Sequence, residues 1–426
     1  AKVTGALEVT QEYPSIRPTL DLNFAATKTL DRRITFTRDG VGTYTDENGV
    51  LKTASHNVPR FDHNPTTGES LGLLIEESRT NVATYSTDYT NAVYNKLSAT
   101  VVDNQAVAPD GTTTADLLHP SSSGSGRGLE INSFVLGTGK WTTSLYVKSA
   151  GLSWIALYGV NGGARAHFDV SNGTKGSANG GGDPIDDWDI IDAGNGWYRC
   201  YITIDLIDAT GPEYFYIYFG SSDNSTTVTA NGTDGVYIWG TQVEQGSFPT
   251  SYISTSGSTV TRAADIAKIT GTNFTDFYNQ TEGTVFSSHQ QYSGIPNTQN
   301  TYVYQIANGN SSSVAFRLID KNTYYGDPSK LSATQWPNDV LLQKPTPTSG
   351  ERIKTAFACK VNDAGVSYDG ATVLTDTSLD MNSDQTIMSI GHFPHTPQAF
   401  LNGHIQQISY YNKRLPNAQL QGLTQQ

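Results

Sequence analysis

The densest set of carboxylates in the chain lies in Asp183-Pro-Ile-Asp-Asp-Trp-Asp-Ile-Ile-Asp192. Hard divalent cations bind several carboxylate and carbonyl oxygens at once, so calcium is the chemistry such a stretch could serve. It lacks the Asp-x-Asp-x-Asp-Gly order of a helix–loop calcium site and follows Gly180-Gly-Gly182. That context favours a solvated loop between strands. No cofactor is assigned, and Ca2+ is the one the stretch leaves open.

Aromatic residues offer a second chemistry, because an apolar ring face stacks on a sugar while its polar rim stays hydrated. Trp188 sits inside the acidic stretch, Trp336 lies in Thr334-Gln-Trp-Pro-Asn338, and Tyr324-Tyr325 precedes Gly326-Asp-Pro328. Turn residues surround all four, so the reading places them on loops as glycan-binding residues. Trp141, Trp197 and Trp239 open or fill apolar runs and are assigned to packing.

Catalytic patterns are missing. Gly-x-Ser-x-Gly does not occur (Gly365-Val-Ser-Tyr-Asp369 fails at its last position), nor does His-Glu-x-x-His. There is no Glu-x-Asp-x-x-Glu to place paired acids for glycoside hydrolysis. His404-Ile-Gln-Gln-Ile408 has the wrong order for the Gln-Ile-His strand of an alginate-lyase type enzyme. Ser121-Ser-Ser-Gly-Ser-Gly-Arg-Gly128 lacks the Lys-Ser/Thr ending of a phosphate loop. No catalytic residue or metal ligand is assigned, and the expectation is a non-enzymatic protein.

The elements that must position these residues are strands. Of the 426 residues, 16% are charged, against ~25% in an average globular protein. Gly (41), Tyr (23) and many Ser, Thr and Asn residues take their place. Short runs such as Trp197-Tyr-Arg-Cys-Tyr-Ile-Thr-Ile204 and Tyr214-Phe-Tyr-Ile-Tyr-Phe219 are bounded by turn residues, the pattern of a sandwich or jelly roll. Only Pro416-Asn-Ala-Gln-Leu-Gln-Gly-Leu423 reads as helix. The net charge of −13 excludes a nucleic-acid role built on a basic patch, and no apolar run of ~18 residues is present to insert in a membrane. Cys200 and Cys359 fall in different expected domains with neither Cys-x-x-Cys nor Cys/His spacing, so neither a disulfide framework nor a structural zinc site is expected.

Three stretches carry a family resemblance. Arg17-Pro-Thr-Leu-Asp-Leu-Asn-Phe24, continuing through Asn57-Val-Pro-Arg-Phe-Asp62 to Gly72-Leu-Leu-Ile-Glu-Glu-Ser-Arg-Thr-Asn81, resembles a module of tailed-bacteriophage structural proteins, both tail-fibre-like and head-decorating. Gly235-Val-Tyr-Ile-Trp-Gly-Thr-Gln-Val-Glu-Gln-Gly-Ser-Phe-Pro-Thr-Ser-Tyr252 looks like the closing strand of a carbohydrate-binding-like jelly roll. Leu401-Asn-Gly-His-Ile-Gln-Gln-Ile-Ser-Tyr-Tyr-Asn-Lys-Arg-Leu415 is similar to the last strand of concanavalin-like, or laminin-G-like, sandwiches.

The fold expected is all-β, with two antiparallel β-sandwiches behind an N-terminal attachment segment, and the option that this segment contributes strands to one of them is left open. Its parts are an attachment and assembly segment at 1–84, a jelly roll at 85–255, a linker at 256–269 and a concanavalin-like sandwich at 270–426. Arg32, Arg33, Arg38, Arg60 and Arg79 are the assembly candidates of the first part, because a guanidinium makes geometry-specific contacts at interfaces. The resemblance implies a virion location, other virion proteins as partners, a host-surface glycan as ligand and a homo-oligomer, a trimer being the usual fibre arrangement. A tail fibre or tail-tip component is the first reading. A capsid-decorating head fibre or cement protein is the second, and a polysaccharide-degrading enzyme with binding modules the third.

Overall fold

The computed structural model describes residues 13–425 except 160–162, 209–210, 296–299, 310–313, 321–329, 337–340, 346–349, 380, 382–383 and 395–398. It is 52% strand and 4% helix, and every pairing between its strands is antiparallel. The short terminal helix is Asn417–Thr424.

One sandwich occupies the middle of the chain. Its two six-stranded sheets close over a core that includes Leu129, Leu145, Ile155, Phe168, Cys200, Ile202, Phe215, Ile217 and Ile238. The second pairs an eight-stranded with a seven-stranded sheet around Val285, Tyr304, Phe316, Phe357, Cys359, Ile405 and Tyr410. Both cysteines are buried and free, one in each core. Strand Gly403–Tyr411, the last in sequence, lies inside the eight-stranded sheet between Glu282–Gln291 and Ser70–Ile75.

The boundaries differ from the expectation. The N-terminal residues are not a separate segment. Leu20–Asn23 and Ser70–Ile75 both pair with Gly403–Tyr411, and Thr35–Thr37 pairs with Ile266–Thr270. Leu20, Leu22, Phe24, Leu73 and Ile75 belong to the second core. The middle sandwich is therefore an insertion, and the strands that enter and leave the host sandwich, Arg79–Asn81 and Val260–Arg262, pair with each other. The expected linker at 256–269 is likewise ordered, because it holds Val260–Arg262 and most of Ile266–Thr270.

A buried ion network fastens this junction. Arg38 meets Asp265 at 3.0 Å, and Arg60 meets Asp265 at 2.5 Å and Glu76 at 2.7 Å. Arg262 lies 3.5 Å from Glu76, and none of these five side chains has any exposed surface. Ser251, on the exit from the middle sandwich, donates its N–H and Oγ–H to the Glu76 carboxylate. Burial alone would raise the pKa of Glu76, but Arg262, Arg60 and Ser251 hold it well below the carboxylate range. The charges stay inside because each finds opposite charge and hydrogen bonds there.

Candidate functional site: a tyrosine face on the middle sandwich

The two sheets of the middle sandwich have different outer faces. One carries Tyr146, Trp197, Trp239 and Tyr252 and is covered in part by Leu51 from the N-terminal region. Thr43 reinforces that contact by donating to the Tyr252 carbonyl at 2.7 Å. The other outer face belongs to the sheet ordered Thr174–Asn179, Ala164–Asp169, Trp154–Gly159, Glu213–Gly220, Gly128–Phe134 and Tyr94–Leu97.

Alternation along these strands decides what that face presents. In Glu213–Gly220, Phe215, Ile217 and Phe219 point into the core, which leaves Tyr214, Tyr216 and Tyr218 half-buried on the outside. In Trp154–Gly159, Ile155 and Leu157 are core while Trp154 and Tyr158 face out. Gly128 is required where it stands, since a Cβ there would lie 1.9 Å from the Ile217 carbonyl oxygen across the sheet.

The rings touch one another. Tyr216 and Tyr218 stack at 5.4 Å with planes 10° apart, and Tyr214 stacks on Tyr216 at 6.5 Å. Tyr158 meets Tyr218 edge-on at 4.9 Å, and the Arg165 guanidinium lies 5.8 Å from the Tyr158 ring centre. Burial and then the neighbouring tyrosines and Glu130 push the Tyr218 hydroxyl up to about 12. Burial also raises Tyr158 and Tyr216, Glu130 adding to the latter. All three phenols are thus neutral at pH 7 and able to donate hydrogen bonds. On the same outer face His167 is 1% exposed, its pKa lowered by burial against the opposing pull of Asp223.

Register lines up a cross-strand row. Asn179 pairs with Arg165, Arg165 with Tyr158, Tyr158 with Tyr216, Tyr216 with Glu130, and Glu130 with Asn95. One row therefore crosses all six strands, which at ~4.8 Å per strand is roughly 24 Å long.

The residues singled out from sequence fall elsewhere. Trp188 is on strand Ile185–Asp192, half-buried against the middle core, with Lys175 Nζ 5.2 Å from its ring centre. The acidic stretch is accordingly an edge strand paired with Tyr198–Leu206, a correction to the loop reading. Among the described residues no group of three or more His, Cys, Asp or Glu is placed to hold a metal ion. Trp336 ends strand Lys330–Trp336 and pairs with Val314, so it too is not on a loop. Tyr324 and Tyr325 lie outside the described residues. Trp141, Trp197 and Trp239 are buried as expected.

The assembly arginines divide. Arg32 is exposed, and Arg33 pairs with Asp31 at 2.7 Å. Arg79 is held by Glu77 at 2.5 Å and packs on Phe248. Arg38 and Arg60 have no exposed side-chain surface, so in this fold they serve the internal junction and are closed to a partner protein.

A cleft of about 200 Å³ also opens at the junction, lined among others by Tyr44, Asp62, Tyr146, Arg199, Tyr201 and Tyr292. Its polar groups are largely spent on the protein itself. Asp62 accepts from the Thr45 N–H at 2.6 Å and sits 2.8 Å from His404 Nε2, Tyr201 donates to Asp187 at 2.7 Å, and Arg199 donates to the Thr250 carbonyl and Ser144 Oγ. This is a joint between units, whereas the tyrosine face keeps its four rings partly exposed.

No family model and no curated protein matches the chain. Among solved structures, the Ruminococcus gnavus IT-sialidase CBM40 is similar over 34% of this chain and 83% of its own, at 13% identity and a TM-score of 0.29. The same module bound to alpha2,6 sialyllactose gives 14% identity, 34% and 84% coverage, and 0.29. A toad ovary galectin in complex with N-acetylgalactose covers 34% of this chain and 96% of its own, at 7% identity and 0.25.

Proposed function

We propose that this chain is a glycan-contacting surface protein whose binding face is the tyrosine row of the middle sandwich. The observation that carries the reading is the stacked, half-exposed set Tyr158, Tyr214, Tyr216 and Tyr218 on a sheet face that no other part of the described chain covers with an apolar core. Neutral phenols side by side present apolar faces and hydrogen-bonding rims together, which is what a sugar ring requires. Single contacts of this kind are weak, and many copies on one particle gain ~10²–10⁴ over one site.

The sequence resemblance supports a phage virion as the setting, as a tail fibre or tail-tip component, with capsid decoration as the other placing. Contact without turnover is the activity proposed. Incubating purified protein with host polysaccharide tests it: unchanged chain length is expected, and shortening would favour the polysaccharide-degrading reading. A glycan-binding assay of Tyr158→Ala and Tyr216→Ala against the parent tests the face itself.

A further inference from the structure

The row has a charge at each side of its aromatic centre, and the two charges are not alike in their surroundings. Arg165 is half-buried and stacked on Tyr158, and among the described residues no ion pair joins it to a carboxylate. On the far side, Glu130 stands beside Tyr216 and helps raise the pKa of that phenol. Three strand steps separate Arg165 from Glu130 in the register, ~14 Å.

Resting on the glycan-contact reading, we infer that the occupant of this row is an extended polysaccharide chain laid across the strands, with a carboxylate-bearing sugar at Arg165 and neutral sugars over Tyr158 and Tyr216. Three features define that ligand. The row crosses all six strands and both of its end residues, Asn179 and Asn95, are exposed, so it suits an internal stretch of chain better than a single enclosed sugar. Arg165 is a planar donor fork, already oriented by Tyr158, and a carboxylate is the anion that such a fork grips through two parallel hydrogen bonds. Glu130 then repels a second carboxylate three steps along, which discriminates against chains in which every unit is acidic. The net charge of −13 works in the same direction, since it opposes a dense polyanion as a whole.

The test uses the full chain on an array of oligosaccharides two to eight units long in three sets: neutral, mixed with one acidic unit followed by two neutral ones, and all-acidic. The mixed set should bind best, with affinity rising from two to four units. Arg165→Gln should lower binding of the mixed set about tenfold and binding of the neutral set much less. Glu130→Gln should raise binding of the all-acidic set. The inference is overturned if Arg165→Gln affects neutral and acidic sets alike or neither, or if disaccharides bind as well as longer chains. Binding of neutral sets that survives Tyr216→Ala would instead overturn the face reading on which the inference stands.

Discussion

Arg60 and Asp265 are 205 residues apart in sequence and meet at 2.5 Å with no part of either side chain exposed. That contact joins the N-terminal strands of the second sandwich to the strand returning from the inserted one. Asp265 also takes Arg38 at 3.0 Å and the backbone N–H of Glu76 at 2.9 Å. Replacing it leaves the Arg38 guanidinium buried with no carboxylate partner and Arg60 with Glu76 alone.

Asp265→Asn should therefore cost ~3–5 kcal/mol, the range for breaking a buried pair from one side. Denaturant unfolding of parent and variant measures it. A change under about 1 kcal/mol would mean that the network contributes little to the fold.

Acid should weaken the same junction. Glu76 titrates below its unfolded value of 4.5 in the folded chain, so its contribution is complete above that value and lost as pH falls toward the folded pKa. Asp116 has the opposite sign. Burial first, and then Asp103, push it up to about 6 from the ordinary aspartate value of 3.8. Its stabilising effect is present below the unfolded value and lost as pH rises through about 6. Asp103→Asn removes one cause of that shift, so it should raise the melting temperature at pH 7 more than at pH 4. Thermal melts at the two pH values check the difference.

Removing residues 13–81 should unfold the second sandwich, because Leu20, Leu22, Phe24, Leu73 and Ile75 fill its core. On a smaller scale Leu73→Ala should cost ~2–5 kcal/mol. A truncated chain with parental near-UV circular dichroism would contradict the shared core.

Trp188→Ala should reduce stability by ~1–3 kcal/mol, as expected for losing a half-buried aromatic contact, and leave glycan binding intact. Binding lost at parental stability would return Trp188 to the site.

The sheets were legible in the sequence because alternation and turn residues act locally. Asp369-Gly370 illustrates this: both residues take positive φ, 47° and 74°, and the Ala371 N–H closes the turn on the Tyr368 carbonyl. The partner strand then starts at Leu374, three residues after the turn closes at Ala371. The junction was illegible for a physical reason. Arg38 and Arg60 read as assembly residues, since charge is almost never fully buried unless paired, and their partner Asp265 lies far along the chain. Trp188 and Trp336 stand on strands where the sequence reading expects loops, whereas the proposed tyrosine face carries its own signal in the sequence. Tyr at 214, 216 and 218 alternates with Phe215, Ile217 and Phe219, so the residues with a polar rim share one face and the wholly apolar ones the other.

The most direct measurement is glycan binding by the double variant Tyr158→Ala/Tyr216→Ala beside the parent, with circular dichroism to show that both are folded. Both rings are half-exposed and outside the core, so the fold should survive while binding falls at least about tenfold, the loss of two stacking contacts. A folded double variant that binds glycan as the parent does would contradict the account.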